Sequence, residues 1–368
     1  MRLGVFCDDP RAAAFLPEWS RHAELVVVPV TAVFPPWLEG LRGITRKRQW
    51  EELLTDQHLD AIFVGGTHPD VLHSARQLAQ AGKPLWVLPH PGQGLLFSYE
   101  LNLAAEETQA PLKAVFPHRA AAAWQQSWRG LTEDAAAVPD YVELTRRMPV
   151  AAQGGPVLAL TAVEAQLLTD LDLLAWQLGR RSRVTVMRTG SEGSQIRRQT
   201  VTLAGDGVPE ILWSVEPADA VTTTAECRFH IGGQQRVFVE TNGQWEPVSL
   251  TVNGAPPIAF AEVVPWSTAV TAFELFDAVE HSLERRRTVE LHREPVSERA
   301  IFKTRMAAWG CGVLIGTLFL MLAFLMIASV VPLNGTLLNI GRALVFTPLF
   351  VFLLAQVLLP LTRAAPRS

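Results

Sequence analysis

Residues 306–341 carry no charge at all, and this run constrains the fold more than any other feature of the chain. Within it, 307–331 is almost wholly apolar. About 20 residues at 1.5 Å rise cross a hydrocarbon core of roughly 30 Å, so the run can span a bilayer with some tilt. Pro332, Asn334 and Gly335 break it as a turn would. A second apolar run at 343–361 is just long enough to return, with Pro348 and Pro360 kinking or ending it. The expectation is a two-helix transmembrane hairpin. Basic flanks orient it: Arg299, Lys303 and Arg305 precede the first helix, Arg363 and Arg367 follow the second, and only Arg342 lies between. The N-terminus, MRLGVFCDDPRAAAF, has no long apolar core after its basic residue and does not read as a signal peptide. The expected location is therefore the inner (cytoplasmic) membrane, multi-pass, with both termini and the soluble body cytoplasmic and the lipid bilayer as a partner. Ala308, Gly312 and Gly316 repeat every four residues. Such a small-residue face packs on the neighbouring helix of the same chain or pairs two copies. No Asp, Glu, Lys or His lies inside either run, which argues against a transport path.

Composition bounds the remainder. Hydrophobic residues make up 49% and charged residues 18%, with the apolar excess mostly at the C-terminal end. A net charge of -4 gives no basic footprint for nucleic acid. Cys7, Cys227 and Cys311 are odd in number and far apart, so they form neither a disulfide framework nor a CxxC metal site. His68 and His73 lie near His90 along the chain's expected fold, but three histidines without a fixed acidic or Cys partner do not make a metal site.

Strand and helix signals alternate through the first 120 residues. Strands are expected at 2–7, 24–30, 58–64, 84–88 and 112–116, and helices at 10–20, 46–55, 69–81 and 95–109. Pro69 and Asp70 start the third of these helices and Gly82 stops it. Alternation of this kind argues for a parallel sheet covered on both faces.

The stretch WEELLTDQHLDAIFVGGTHPDVLHSARQLAQAGKPLWVLPHP resembles the N-terminal half of the Gfo/Idh/MocA oxidoreductase family. The features that match in order are Asp60-Ala61 opening the fourth strand, Thr67 with Pro69 at its turn, His73 in the next helix, Ala81-Gly82-Lys83, and Pro89-His90-Pro91. The resemblance implies a Rossmann-like domain over 1–120 that holds NAD or NADP. Asp8, Gly65, Gly66, Thr67 and Pro91 would lie at the cofactor, and His90 would stand where the family has its catalytic Lys. A His there can exchange a proton near neutral pH. The sequence also departs from the family. Cys7-Asp8-Asp9-Pro10 replaces the Gly-rich first turn that lets a backbone approach pyrophosphate. Two carboxylates repel phosphate, and Pro10 removes an N–H donor. Pro29 and Val30 stand where an acidic ribose partner belongs.

Residues 121–305 read as an α+β domain. The segment GGPVLALTAVEAQLLTDLDLLAWQLG resembles the family's Gly-Gly start, long helix and Leu-Gly end. If Asp172 is the family's helix Asp, the His that assists proton transfer is replaced by Thr169, which is no base at neutral pH. The runs RVTVMR, RQTVTLAG, ECRFHIG, QRVFVETN and VSLTVNG, with hairpin signals at Asn242-Gly243 and Asn253-Gly254, read as an open antiparallel sheet. An amphipathic helix over 268–285 follows, with Phe273, Phe276 and Val279 inward.

The expected fold class is therefore α/β: a Rossmann-like domain, an α+β domain with an open antiparallel sheet, and the hairpin over 306–361. Two functions follow from the resemblance. One is an NAD(P)-dependent oxidoreductase on a sugar or polyol, with His90 and Asp172 catalytic and Arg119 touching substrate. The other is an inactive module that senses a small sugar-like ligand or assembles partners. Copies would pair through the antiparallel sheet or the Gly312/Gly316 face.

Overall fold

A computed structural model of the chain describes residues 1–31, 34–39, 41, 43–116, 119, 139–150, 156–190, 193–219, 222–241, 244–247 and 262–291, with eight positions between 316 and 326. The chain divides into two compact units, Met1–His292 and Arg293–Ser368. The expected boundaries at 120 and 305 lie outside the described residues.

The first half of the larger unit runs β1 (Arg2–Cys7), a 3-10 turn at Pro10–Ala14, α1 (Leu16–His22), β2 (Glu24–Val28), α2 (Pro36–Glu39), β3 (Ile44–Arg46), α3 (Glu51–Thr55), β4 (Ala61–Gly65), α4 (Pro69–Gln80), β5 (Leu85–Leu88), a 3-10 turn at Pro91–Gln93, α5 (Gly94–Thr108) and β6 (Leu112–Phe116). The strands pair in parallel in the order β3-β2-β1-β4-β5-β6. All five residues of β4 are buried, as a strand covered on both faces requires. On one face α4 and α5 bury Val71, Ala75, Leu78, Phe97 and Leu101. On the other, Trp19 of α1 packs edge-on against Phe63 and Trp86, at 5.4 and 5.5 Å between ring centres. The helix expected over 10–20 divides into a 3-10 turn and α1. Pro17, at the start of α1, has no N–H to continue an α-helix from the preceding turn. The strand order reverses between β1 and β4, which opens a crevice beyond their C-terminal ends, where sheets of this type hold ligands.

The second half runs β7 (Tyr141–Pro149), β8 (Leu158–Ala159), α6 (Leu160–Leu178), β9 (Arg183–Thr189), β10 (Gln195–Ile196), β11 (Arg198–Gly205), β12 (Val208–Ala218), β13 (Thr224–Ile231), β14 (Gln234–Thr241), β15 (Gln244–Pro247), β16 (Glu262–Pro265), α7 (Trp266–Arg285) and β17 (Val289–Glu290). Eight strands form a sheet in the order β15-β14-β13-β7-β12-β11-β9-β17. It is antiparallel as expected except where β7 and β12 pair in parallel. That pairing arises because β7 precedes the crossover through α6 and so enters between strands of the later meander. Along β7, Val142, Leu144, Arg146 and Met148 point to the core and the alternate residues stay partly open. Thr241 pairs with Gln244 across the Asn242-Gly243 turn, itself outside the described residues, as is the strand expected at 248–254. The first sheet gains β16 antiparallel to β6, and α7 then packs on α5, α6 and β9. The Trp266 indole donates to the Ser98 carbonyl at 2.9 Å, pinning α7 to α5.

The expected membrane location is corrected here. Among the described residues no helix is long and apolar enough to cross a membrane. In the first apolar run the described helical positions extend from Gly316 to Met326. The remainder of 307–331, the whole of 343–361 and Gly312 lie outside the described residues.

Candidate functional site

The crevice between β1 and β4 is bounded by three turns. After β1 come Asp8, Asp9 and Pro10; after β4 come Gly66, Thr67 and His68; after β5 come Pro89, His90 and Pro91. The first two are fastened together. The Asp8 N–H donates to the Gly65 carbonyl at 3.0 Å, extending the pairing of Cys7 with Gly65. Gly66 holds φ +121, and a Cβ built on it would lie 1.5 Å from Asp8 Oδ1. The Asp8 carboxylate thus occupies the space directly over Gly66. Its Oδ1 is buried without a hydrogen-bond partner. Burial raises the Asp8 pKa, against the lowering effects of its own backbone N–H, the His68 charge and the His68 N–H.

Two N–H groups just after the first turn are also spent. The Arg11 N–H donates to Asp9 Oδ1 at 2.9 Å and the Ala12 N–H to the Asp9 carbonyl at 3.1 Å. Pro10 has none. The Arg11 guanidinium grips Asp9 through Nε (3.0 Å) and Nη2 (2.7 Å), and its Nη2 reaches on to the Pro89 carbonyl at 2.7 Å. That link ties the turn after β1 to the turn after β5. Beneath it, burial pushes the Cys7 thiol well up, so Cys7 is a core residue and no nucleophile.

His90 caps the Pro91–Gln93 turn. Its Nδ1 accepts from the Gly92 N–H at 3.0 Å, while its own N–H donates to Gln93 Oε1 at 3.1 Å. The Gln93 amide in turn donates to the carbonyls of Gly66 (3.2 Å) and Leu88 (3.0 Å), joining the turns after β4 and β5. Burial and then the Arg11 charge lower the His90 pKa, with Asp9 opposing. With Nδ1 accepting, the neutral ring carries its proton on Nε2. His68 plays a similar capping part for α4, accepting from the Asp70 N–H at 3.3 Å. A Cβ on Gly92 would meet Thr67 Cγ2 at 2.8 Å, so Thr67 lies against the His90 turn.

Helix α6 packs against the Pro91–Gln93 turn and carries two buried carboxylates. Asp172 accepts from Arg119 Nε and Nη2 at 2.7 and 2.6 Å. The guanidinium lies 4.8 Å from the Trp176 ring and 5.5 Å from Phe116. Thr169, in the position the resemblance gives to a His, donates back to the Ala165 carbonyl at 3.0 Å. Asp170 faces the sheet and accepts from Arg146 Nε (2.8 Å), Trp213 Nε1 (2.8 Å) and Gln166 Nε2 (3.1 Å). Arg146, fully buried, also pairs with Glu240.

The structure thus gathers Asp8, Gly65, Gly66, Thr67, His90 and Pro91 at one crevice, and pairs Arg119 with Asp172 on the helix that packs against the turn after β5. Sequence reading missed Arg11 and Gln93. Gln93 was the more findable, because a polar residue three after a cap is the capping-box spacing. Among the described residues no group of His, Cys, Asp and Glu could hold a metal ion.

No family model matches the sequence, and no curated protein does either. Solved structures match the fold. GenD2 from gentamicin A biosynthesis, in complex with NAD, has a TM-score of 0.61 at 14% identity, covering 80% of this chain and 97% of that one. The WlbA dehydrogenase from Chromobacterium violaceum, with NADH and UDP-GlcNAcA, gives 0.60 at 14% over 80% and 97%. A myo-inositol dehydrogenase from Corynebacterium glutamicum gives 0.57 at 13% over 80% and 99%. The match shows that about four fifths of this chain shares the fold of these proteins, two of them solved with NAD or NADH.

Proposed function

We propose that this chain uses an oxidoreductase fold to hold a sugar- or polyol-like ligand, as a sensing module that has given up hydride chemistry. The observation that carries this reading is the state of His90. A base at that position must offer a free nitrogen lone pair. Nδ1 spends its lone pair on the Gly92 N–H, so Nε2 carries the proton and presents a donor. The neighbours offer no substitute, since Thr169 is bonded back into its helix and Asp172 is gripped by Arg119.

A dinucleotide in the pose usual for the fold does not fit the residues present. Pyrophosphate needs free N–H groups and a glycine-permitted close approach. The first turn instead offers a carboxylate over Gly66, and spends the N–H groups of Asp8, Arg11 and Ala12 internally. Hydroxyl-rich ligands suit the crevice better. Asp8 and Thr67 accept from hydroxyls, and the Nε2–H of His90 donates to them.

A second reading, an NAD(P)-dependent oxidoreductase acting on a sugar or polyol, is favoured by the neighbours crystallised with NAD or NADH. Two measurements on the purified chain separate the readings. Thermal unfolding is followed across a panel of sugars and inositols, and the same panel is incubated with NAD or NADP to look for reduced cofactor. Stabilisation by a polyol without reduced cofactor is the expected result. Substrate-dependent formation of NADH or NADPH overturns the module reading, as does a panel without any stabilising ligand.

A further inference from the structure

We infer that Asp8, seated over Gly66, is the residue that sets ligand class at the crevice: it shuts out phosphate-bearing ligands and leaves the site to uncharged hydroxylated ones. The inference rests on the ligand-binding reading above and deepens it. Three observations meet at this pair. The crevice where the strand order reverses is bridged by the Asp8 N–H bond to the Gly65 carbonyl. The positive φ of Gly66 clears the volume that Oδ1 fills, since any side chain there would collide with it. Oδ1 is buried against Gly66 while Asp8 as a whole stays partly exposed, so an incoming phosphate meets a like charge and the exposed part of the carboxylate can accept from an uncharged hydroxyl.

The neighbouring groups sharpen the effect. Asp9 bears the same sign of charge as Asp8, and its carboxylate is taken up by Arg11. Arg11 is held between Asp9 and the Pro89 carbonyl through Nε and Nη2, so Asp9 already offsets its charge. One side chain thus supplies both the steric plug and the repulsive charge, and one substitution should remove them.

The test compares the full-length chain with Asp8→Asn, Asp8→Gly and Asp8→Glu. NADH is the fluorescent probe and ADP the calorimetric one, and each variant's thermal transition confirms that it is folded. The wild type and Asp8→Glu should bind neither probe up to millimolar concentration. Asp8→Asn, which removes charge but keeps volume, should gain at least tenfold in NADH affinity, and Asp8→Gly, which removes both, should gain more. Unchanged affinity in folded Asp8→Asn and Asp8→Gly overturns the inference, whether wild-type binding is tight or absent. Weaker NADH binding by Asp8→Asn than by wild type overturns it too, by making Asp8 part of a cofactor site. Turnover by the wild type with NAD or NADP overturns the inference together with the module reading, because it requires a dinucleotide to bind, whereas a panel without any stabilising polyol sinks the module reading alone, because the variant series is read from probe affinity.

Discussion

Arg119 and Asp172 meet through two parallel hydrogen bonds of 2.7 and 2.6 Å, with both side chains almost wholly removed from solvent. The pair joins the chain just beyond β6 to the middle of α6, across 53 positions of sequence. Breaking one member of a buried pair strands the other charge, which costs about 3–5 kcal/mol. Arg119→Met should therefore lower the urea midpoint strongly, and Arg119→Met combined with Asp172→Leu should recover most of the loss. A single-variant cost below about 1 kcal/mol would mean the pair behaves as a solvated surface bridge.

A second buried network holds the other side of the same helix. Asp170 collects Arg146, Trp213 and Gln166, and Arg146 lies 5.4 Å from the Trp245 ring. Trp213→Phe removes one donor to a charged acceptor, which should cost about 1.5–3 kcal/mol, and leaves a cavity where the larger indole stood, which adds to that cost. Arg146→Met leaves Asp170 buried without its main cation and should cost about 3–5 kcal/mol. Denaturant unfolding reads both, and a cost below about 1 kcal/mol for Arg146→Met would contradict the network drawn here.

The contrast between these networks and the strands shows what was legible in the sequence. Strands β1 and β4 announced themselves because a strand buried on both faces must be a short apolar run. Helix α4 did so because Pro69 and Gly82 mark its ends. Asp8 was visible as a departure from a Gly-rich turn. Its seat over Gly66 was not, because that depends on the register of β1 against β4. Ion pairs across long sequence separations leave no local pattern, so Asp172 read as a catalytic acid and Arg119 as a substrate contact. The parallel entry of β7 beside β12 was likewise silent, since each strand alternates in the same way whichever direction its neighbour runs.

His90 gives a test of tautomer and of pH dependence. Its folded pKa is lowered, mainly by burial and then by Arg11. A base lowered in this way stays neutral in the fold while the unfolded chain takes up the proton. Its contribution is thus present above the ordinary histidine value and is lost as pH falls through the folded value. Nitrogen-15 NMR should show Nδ1 as an unprotonated acceptor and Nε2 as protonated at neutral pH. His90 should also titrate below the ordinary histidine range. A protonated Nδ1 would remove the Gly92 bond and reopen His90 as a base.

Gly66 should be among the least replaceable positions of the crevice. Alanine at φ +121 carries backbone strain of about 1–3 kcal/mol, and its Cβ must also displace the Asp8 carboxylate. Gly66→Ala is expected to cost more than that strain alone. Adding Asp8→Gly should return the collision part and leave the backbone part, so the double-mutant cycle should show favourable coupling. Additive losses, measured by chemical denaturation, would place Asp8 away from Gly66 in solution.

Asp8 itself should destabilise the fold once ionised. Its folded pKa is raised, chiefly by burial, so the folded chain holds this proton to higher pH than the unfolded chain does. The stabilising contribution is fully present below the unfolded carboxylate value and disappears as pH rises through the folded value. Asp8→Asn cannot ionise, and should therefore unfold at higher temperature than wild type at neutral pH. Relief of a buried oxygen lacking a donor is worth about 1–3 kcal/mol at most, and the amide keeps part of that deficit, so a gain near the lower end is expected. The difference should shrink as the pH is lowered below the ordinary carboxylate range, where wild-type Asp8 is protonated in both states. Thermal scans of the two proteins across pH read this directly. A stability difference that does not vary with pH would show that Asp8 is solvated rather than seated over Gly66, and the account of the crevice built on that seat would fail.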